Sequence, residues 1–158
     1  MITPIAKPHK ETKAEKLARK KAKHKLTKGY LVGQRKTLFK KCWKLMSEWV
    51  RRKDADWKGN VKCFTCGVVK HWKEMHAGHF IHDKLDFDER NLKPQDCSCN
   101  TYNGGELGIY AEKLIEENGL DWIKQLRKDA QLKGNDYSYE ELLEIEKDLK
   151  SKLESLKV

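Results

Sequence analysis

Four cysteines in two tight groups, Cys63-Phe64-Thr65-Cys66 and Cys97-Ser98-Cys99, constrain this chain more than any other feature. In a reducing compartment such groups point to metal ligation rather than disulfides. A structural zinc takes four tetrahedral ligands, commonly a pair from each of two knuckles. Cys63 and Cys66 make a well-formed first pair. The second is irregular: Asp96 and Cys99 stand in Cys-x-x-Cys register, and Cys97 is next door. A site of Cys63, Cys66 and Cys99 is therefore completed by either Asp96 or Cys97. Cys42 stands apart in an apolar helical pattern and reads as a small core residue.

Between the knuckles lies the run from Glu74 to Cys99, EMHAGHFIHDKLDFDERNLKPQDCSC, followed by Asn100. Metal-assisted phosphodiester hydrolysis needs an imidazole to take a proton from water, and an amide to orient imidazole or water. It also needs groups that hold a divalent ion on the leaving-group side. His79, Asn91 and Asn100 are the candidates for the first two tasks, and His76 and Asn100 for the ion, Mg²⁺ or Mn²⁺. Taken singly, His79 reads equally as a structural imidazole and Asn91 as an Asx turn. Their order with the cysteines favours the catalytic reading. His82 reads as a supporting neighbour and His71 as a hairpin tip. Asp83, Asp86, Asp88 and Glu89 read as a solvated loop.

The formal net charge of +10 is concentrated ahead of the cysteines. Residues 1–30 carry ten Lys/Arg against two acids, residues 31–53 carry eight against one, and the remainder is net acidic. That distribution fits a polyanion, because each phosphate neutralised releases condensed counterions. DNA is the expected partner, with Lys40, Lys41, Lys44, Arg51, Arg52, Lys70 and Lys73 as contacts. The absence of a secretory segment or long apolar run predicts a cytoplasmic protein with no membrane partner.

Residues 1–30 are expected to form a basic flexible arm, or a helix formed only on DNA. Residues 31–57 form a basic amphipathic helix, with Leu38, Phe39, Cys42, Leu45, Met46 and Trp49 on its apolar face. Residues 58–118 form the zinc-stapled core, in which Gly78 marks a bulge or close backbone approach. Residues 119–158 form C-terminal helices, opened by Gly119 after one helix and by a Ser138–Glu141 capping box before the last. The last helix folds back on the domain or pairs with a second copy.

Cys63-x-x-Cys66-Gly67, Ala77-Gly78-His79-Phe80, Phe87-Asp88-Glu89-Arg90-Asn91, Cys99-Asn100 and Gly105-Glu106-Leu107 resemble the NinG (Rap) family of phage recombination proteins, within the HNH (His-Asn-Asn) endonuclease superfamily. The resemblance runs from about Trp49 to Ile123. It implies an α+β fold: a small zinc-stapled ββα-metal core flanked by α-helices. The implied activity is a metal-dependent endonuclease cutting branched DNA, including Holliday junctions and D-loops, during phage recombination in the bacterial host. It assigns His79 as the base, Asn91 as the supporting amide and Asn100 in place of the superfamily's last histidine. His76 stands where the family pattern has aspartate, and Asp96 where it has the first cysteine of the second pair. Recombination proteins are further implied partners, and symmetrical junction cleavage would call for a homodimer. The rival readings are a non-catalytic zinc DNA-binding or recombination module, and an HNH nicking endonuclease of different substrate scope.

Overall fold

The computed structural model describes residues 12–133 and 136–156. The first eleven residues of the expected arm lie outside them. The protein is mixed α/β and mostly helical, with two small sheets. Contacts divide the chain into two units, Met1–Thr37 and Leu38–Val158.

In the first unit the described residues belong to the start of helix α1 (Lys13–Arg52). The helix was expected to begin at Leu31, and the structure corrects this. Thr12 and Glu15 form a reciprocal cap: the Glu15 carboxylate accepts from the Thr12 N–H at 2.7 Å, and Thr12 Oγ1 accepts from the Glu15 N–H at 3.2 Å. Such a box satisfies two end donors, and the Lys, Ala and Leu that follow are strong helix formers. None of the described side chains up to Thr37 is buried.

The second unit is built around two antiparallel hairpins. Strands β1 (Asn60–Lys62) and β2 (Val69–His71) pair through the first cysteine knuckle. Strands β3 (Met75–His79) and β4 (Leu92–Asp96) pair in unbroken register from Met75↔Asp96 to His79↔Leu92. Gly78 therefore marks no bulge. It permits a close approach, because a Cβ there would overlap the side-chain amide of Gln95. A π-helical turn, Ser98–Tyr102, follows β4.

Helices α2 (Leu107–Asn118), α3 (Leu120–Lys133) and α4 (Tyr139–Ser155) complete the unit. Gly119, at φ 87°, ends α2 and bonds back to the Ile115 carbonyl. Ser138 and Glu141 form the expected capping box of α4. Tyr110, Leu114, Ile123, Leu126 and Ala130 of α2 and α3 enclose Phe80 and Leu85. On the other side Met46 and Val50 of α1 meet Ala77, Leu92 and Leu149. Leu142 of α4 packs on Leu38 and Cys42, so α4 folds back on its own unit. Cys42 is fully buried and its thiol donates to the Leu142 carbonyl at 3.2 Å. No helix among the described residues is long and apolar enough to cross a membrane.

Candidate functional site

Three of the five expected zinc ligands come together. The sulfurs of Cys63, Cys66 and Cys99 all lie within 4.8 Å of one another. Cys63 directly follows β1, Cys66 lies in the turn closed by Gly67 at φ 80°, and Cys99 lies in the π-helical turn after β4. The Gly67 N–H returns to the Cys63 carbonyl at 3.0 Å, and the Phe64 N–H ties the knuckle to the Pro94 carbonyl at 2.8 Å. Zinc–thiolate bonds of about 2.3 Å put tetrahedral sulfurs about 3.8 Å apart, so the triad fits zinc in spacing and donor softness.

The Cys63 thiol is buried, which alone would raise its pKa. Hydrogen bonds from the Thr65 hydroxyl and the Asp96 and Cys66 N–H groups outweigh that and leave it at about 7. Burial and the neighbouring thiols push Cys66 the other way, to about 11.

Asp96 and Cys97 stand outside the triad among the described residues. The Asp96 carboxylate takes Lys70 on one oxygen and the Ser98 hydroxyl on the other, which holds it well below the usual carboxylate range. What Asp96 offers the cluster is its N–H, donated to Cys63 Sγ at 3.1 Å. Half-buried Cys97 carries a thiol committed to no other partner among the described residues.

His79 ends β3 with its ring stacked on Trp43 of α1, centroids 4.8 Å apart and 18° from parallel. Its side chain is 19% exposed. The buried Nε2 lies 3.3 Å from Asp86 Oδ1, outside hydrogen-bonding alignment. His82 is a ring neighbour at 6.4 Å.

Asn91 does not orient the imidazole directly. Its oxygen accepts from the Ile81 N–H at 2.7 Å, and its amide hydrogens go to the carbonyls of Ile81 and Lys84, both at 2.9 Å. It is fully buried and clamps the segment that leaves His79. Asn91→Ala would strand three backbone groups, each costing about 1–3 kcal/mol if left unpaired. Some relief from water leaves an expected loss of about 3–5 kcal/mol, read as a lowered denaturant midpoint.

Asn100 does not join His79. Strand alternation sends His76, Gly78, Lys93 and Gln95 to one face of the hairpin, and Ala77, His79 and Leu92 to the other. His76 and His79, three residues apart, therefore face opposite ways. Asn100 Nδ2 lies 3.3 Å from His76 Nδ1, and Thr101 Oγ1 lies 3.5 Å from the same atom. His76 belongs to no group of three or more His, Cys, Asp or Glu ligands among the described residues. A hard divalent ion held there would draw most of its shell from phosphate oxygens and water.

Four of the seven expected DNA contacts already have protein partners. Lys41 pairs with Glu146 at 2.8 Å, Arg52 with Glu48 at 2.7 Å, and Lys70 with Asp96. Arg51 donates to the carbonyls of Ser47, Trp72 and Met75, tying α1 to the hairpins. Lys40, Lys44 and Lys73 are exposed and form no ion pair among the described residues.

Trp57, unmarked by any motif in the sequence, is 89% exposed with Lys58 Nζ 4.8 Å from its ring. The turn carrying it is held by the Asp56 carboxylate, which accepts from the Lys58 and Asn60 N–H groups at 2.9 and 2.7 Å. Its signal was a Trp-Lys pair in a polar turn.

Comparison with known proteins adds a family match over residues 4–158, to the model described as Bacteriophage Lambda NinG protein. Among curated relatives, protein ninG of Salmonella phage P22 is 28% identical over 122 residues, covering 75% of this chain and 57% of the relative. Protein ninG of Escherichia phage lambda is 25% identical over 122 residues, covering 75% and 56%. Protein ninG of Escherichia phage 933W is 27% identical over 94 residues, covering 57% and 44%. The chain thus spans about half the length of the curated relatives it matches. No solved structure matches it significantly.

Proposed function

Because this chain belongs to the NinG family of bacteriophage proteins, we propose that it is an HNH-type, metal-dependent endonuclease that hydrolyses phosphodiesters in branched DNA during phage recombination. The observation that carries the reading is His79 at the loop end of strand β3, in a hairpin whose other end leads into the turn that bears Cys99 and Asn100. An antiparallel pair, β3 and β4, followed by a helical turn has the element order of a ββα-metal core.

In this reading His79 takes the proton from the attacking water, and Asn91 holds the backbone that presents it. Cys63, Cys66 and Cys99 hold a structural zinc, with Cys97 or Asp96 as fourth ligand. Cys97 is favoured because Asp96 is already paired with Lys70 and Ser98. His76 and Asn100, on the opposite face of the hairpin from His79, would hold a Mg²⁺ or Mn²⁺, and such an ion would supply charge stabilisation to a phosphate oxygen there. Lys40, Lys44 and Lys73, with the basic residues of the first unit, contact phosphates without reading sequence, as suits recognition of branch shape. Trp57 beside Lys58 offers a face on which an unpaired base can stack. Symmetrical junction cutting would require two copies of the chain.

A second reading, a non-catalytic zinc module that binds DNA, draws on one observation: His79 Nε2 is buried. Four-way junction, linear duplex and single-stranded DNA, each titrated with Mg²⁺ and Mn²⁺, separate the two. The expected result is cleavage of the junction at least about ten times faster than of linear duplex, a difference of about 1.4 kcal/mol. Equal cutting of linear duplex would remove the branched-DNA part and leave a nicking enzyme of other scope. Tight junction binding with no cleavage in either metal would leave the binding module.

A further inference from the structure

We propose that Asp86 is a positioning residue for His79: its carboxylate holds the imidazole proton on Nε2, so that Nδ1 carries the lone pair that receives a proton from water. This rests on the role proposed for His79. Asp86 belongs to an acidic segment that reads from sequence as a solvated loop, yet its neighbours have distinct structural tasks. Asp88 caps the turn that follows and pairs with Arg90 at 2.7 Å. Glu89 is tied to Lys152 of α4 at 2.8 Å. Asp86 instead faces the histidine ring, 3.3 Å from its Nε2, with only 17% of its side chain exposed.

The backbone around Asp86 is arranged at a cost. Asp83 and Leu85 adopt φ of 56° and 55°. That left-handed region is unfavourable for residues with a Cβ and persists only where the surroundings over-determine it. Here they do. Leu85 is 1% exposed among Phe80, Tyr110 and Leu114. On the other side of Asp86, the Phe87 ring sits edge-on to Phe39 and to Tyr137, each 5.0 Å away. The Lys84 carbonyl is gripped by Asn91. The segment is therefore anchored before and after Asp86, and its bent path returns the carboxylate to the imidazole.

The ring is anchored as well. Trp43 stacks on one face of His79, so little rotation is left, and among the described residues Nε2 makes no aligned hydrogen bond, with Asp86 Oδ1 3.3 Å away. A carboxylate only accepts, so it selects the tautomer that donates to it. The opposite ring nitrogen is then the base. This is the tautomer-fixing role an aspartate plays beside a catalytic histidine in unrelated hydrolases.

The test compares wild type, Asp86→Asn and His79→Ala in the full-length protein. Ring ¹⁵N shifts of His79 at pH 8, where an ordinary imidazole is neutral, report the tautomer whether or not DNA is cut. The expected result is an Nε2–H tautomer in wild type and a mixed or reversed population in Asp86→Asn. Junction cleavage should show kcat lower by about 10²–10⁴-fold in Asp86→Asn, with KM, junction affinity and melting temperature near wild type. An Nδ1–H tautomer in wild type would overturn the proposal, as would an unchanged tautomer in Asp86→Asn. Full activity in His79→Ala would overturn the nuclease role of His79 itself, a separate outcome from the tautomer result.

Discussion

Replacing His79 by alanine is expected to lower junction cleavage by about 10²–10⁴-fold, the usual contribution of a positioned general base, while junction affinity changes little. The asymmetry follows from where the charges are. Affinity for DNA comes mainly from phosphates neutralised by Lys and Arg. Lys40, Lys44 and Lys73, the exposed cations of the second unit proposed for that task, are left in place by the substitution, which removes only the ring packed on Trp43. Alanine also removes that stacking contact, worth about 0.5–1.5 kcal/mol beyond area burial, so some loss of thermal stability is expected. His79→Gln keeps a planar polar group against Trp43 and separates chemistry from packing. Both variants should bind the junction and fail to cut it. If either cuts at the wild-type rate, His79 is not the base.

Denying the cysteine triad its proposed zinc should have the largest effect on stability. Cys63 and Cys99 are buried in a small cluster with Val61 and Met75, flanked by partly buried Ala55 and Trp72. Strands β1 and β2 are three residues each. So little apolar surface cannot hold two short hairpins together alone. Structural zinc contributes about 10–16 kcal/mol of apparent binding energy in isolated zinc fingers, and even a third of that would matter here. The expected result is one zinc per chain by elemental analysis and a melting temperature at least about 10 °C lower after chelation or in Cys99→Ser. Protein that carries no zinc as purified, and neither takes up added zinc nor melts higher with it, would exclude a structural metal. The same assay on Cys97→Ala and Asp96→Ala names the fourth ligand. Loss of zinc is expected only in the first, since Asp96 presents its N–H and not its carboxylate to Cys63.

The contrast between Asn91 and Asp86 shows how far local pattern reaches. Asn91 was legible as a residue of importance because of its place between the knuckles, but its task was not. An amide that orients an imidazole and one that grips a loop look alike in a sequence, and only the carbonyls of Ile81 and Lys84 around it decide. Asp86 was hidden among other acids. What separates it from Asp88 and Glu89 is the direction of the backbone after Leu85, and nothing in the composition of the segment records a reversal of φ. Arg51 and Lys41 were likewise counted as contacts for DNA from charge alone. Their partners, the hairpin carbonyls and Glu146, come from distant segments.

By itself the sequence determined the features that depend on neighbours along the chain. These are the apolar stripe of α1 from Leu38 to Trp49, the Ser138–Glu141 cap, the stop at Gly119 and the Cys63–Cys66 knuckle. Helical period, capping and tight-turn chemistry all act within a few residues, so they can be read in order. Only the tertiary structure decided that the Asp96 carboxylate turns to Lys70 and Ser98 while its N–H meets the knuckle that Cys99 joins, and that His76 and His79 face opposite sides of one hairpin. It also decided that the Asp86 carboxylate stands beside the candidate base. Each of these depends on strand register and on packing between elements far apart in sequence, where one residue of slip exchanges the two faces.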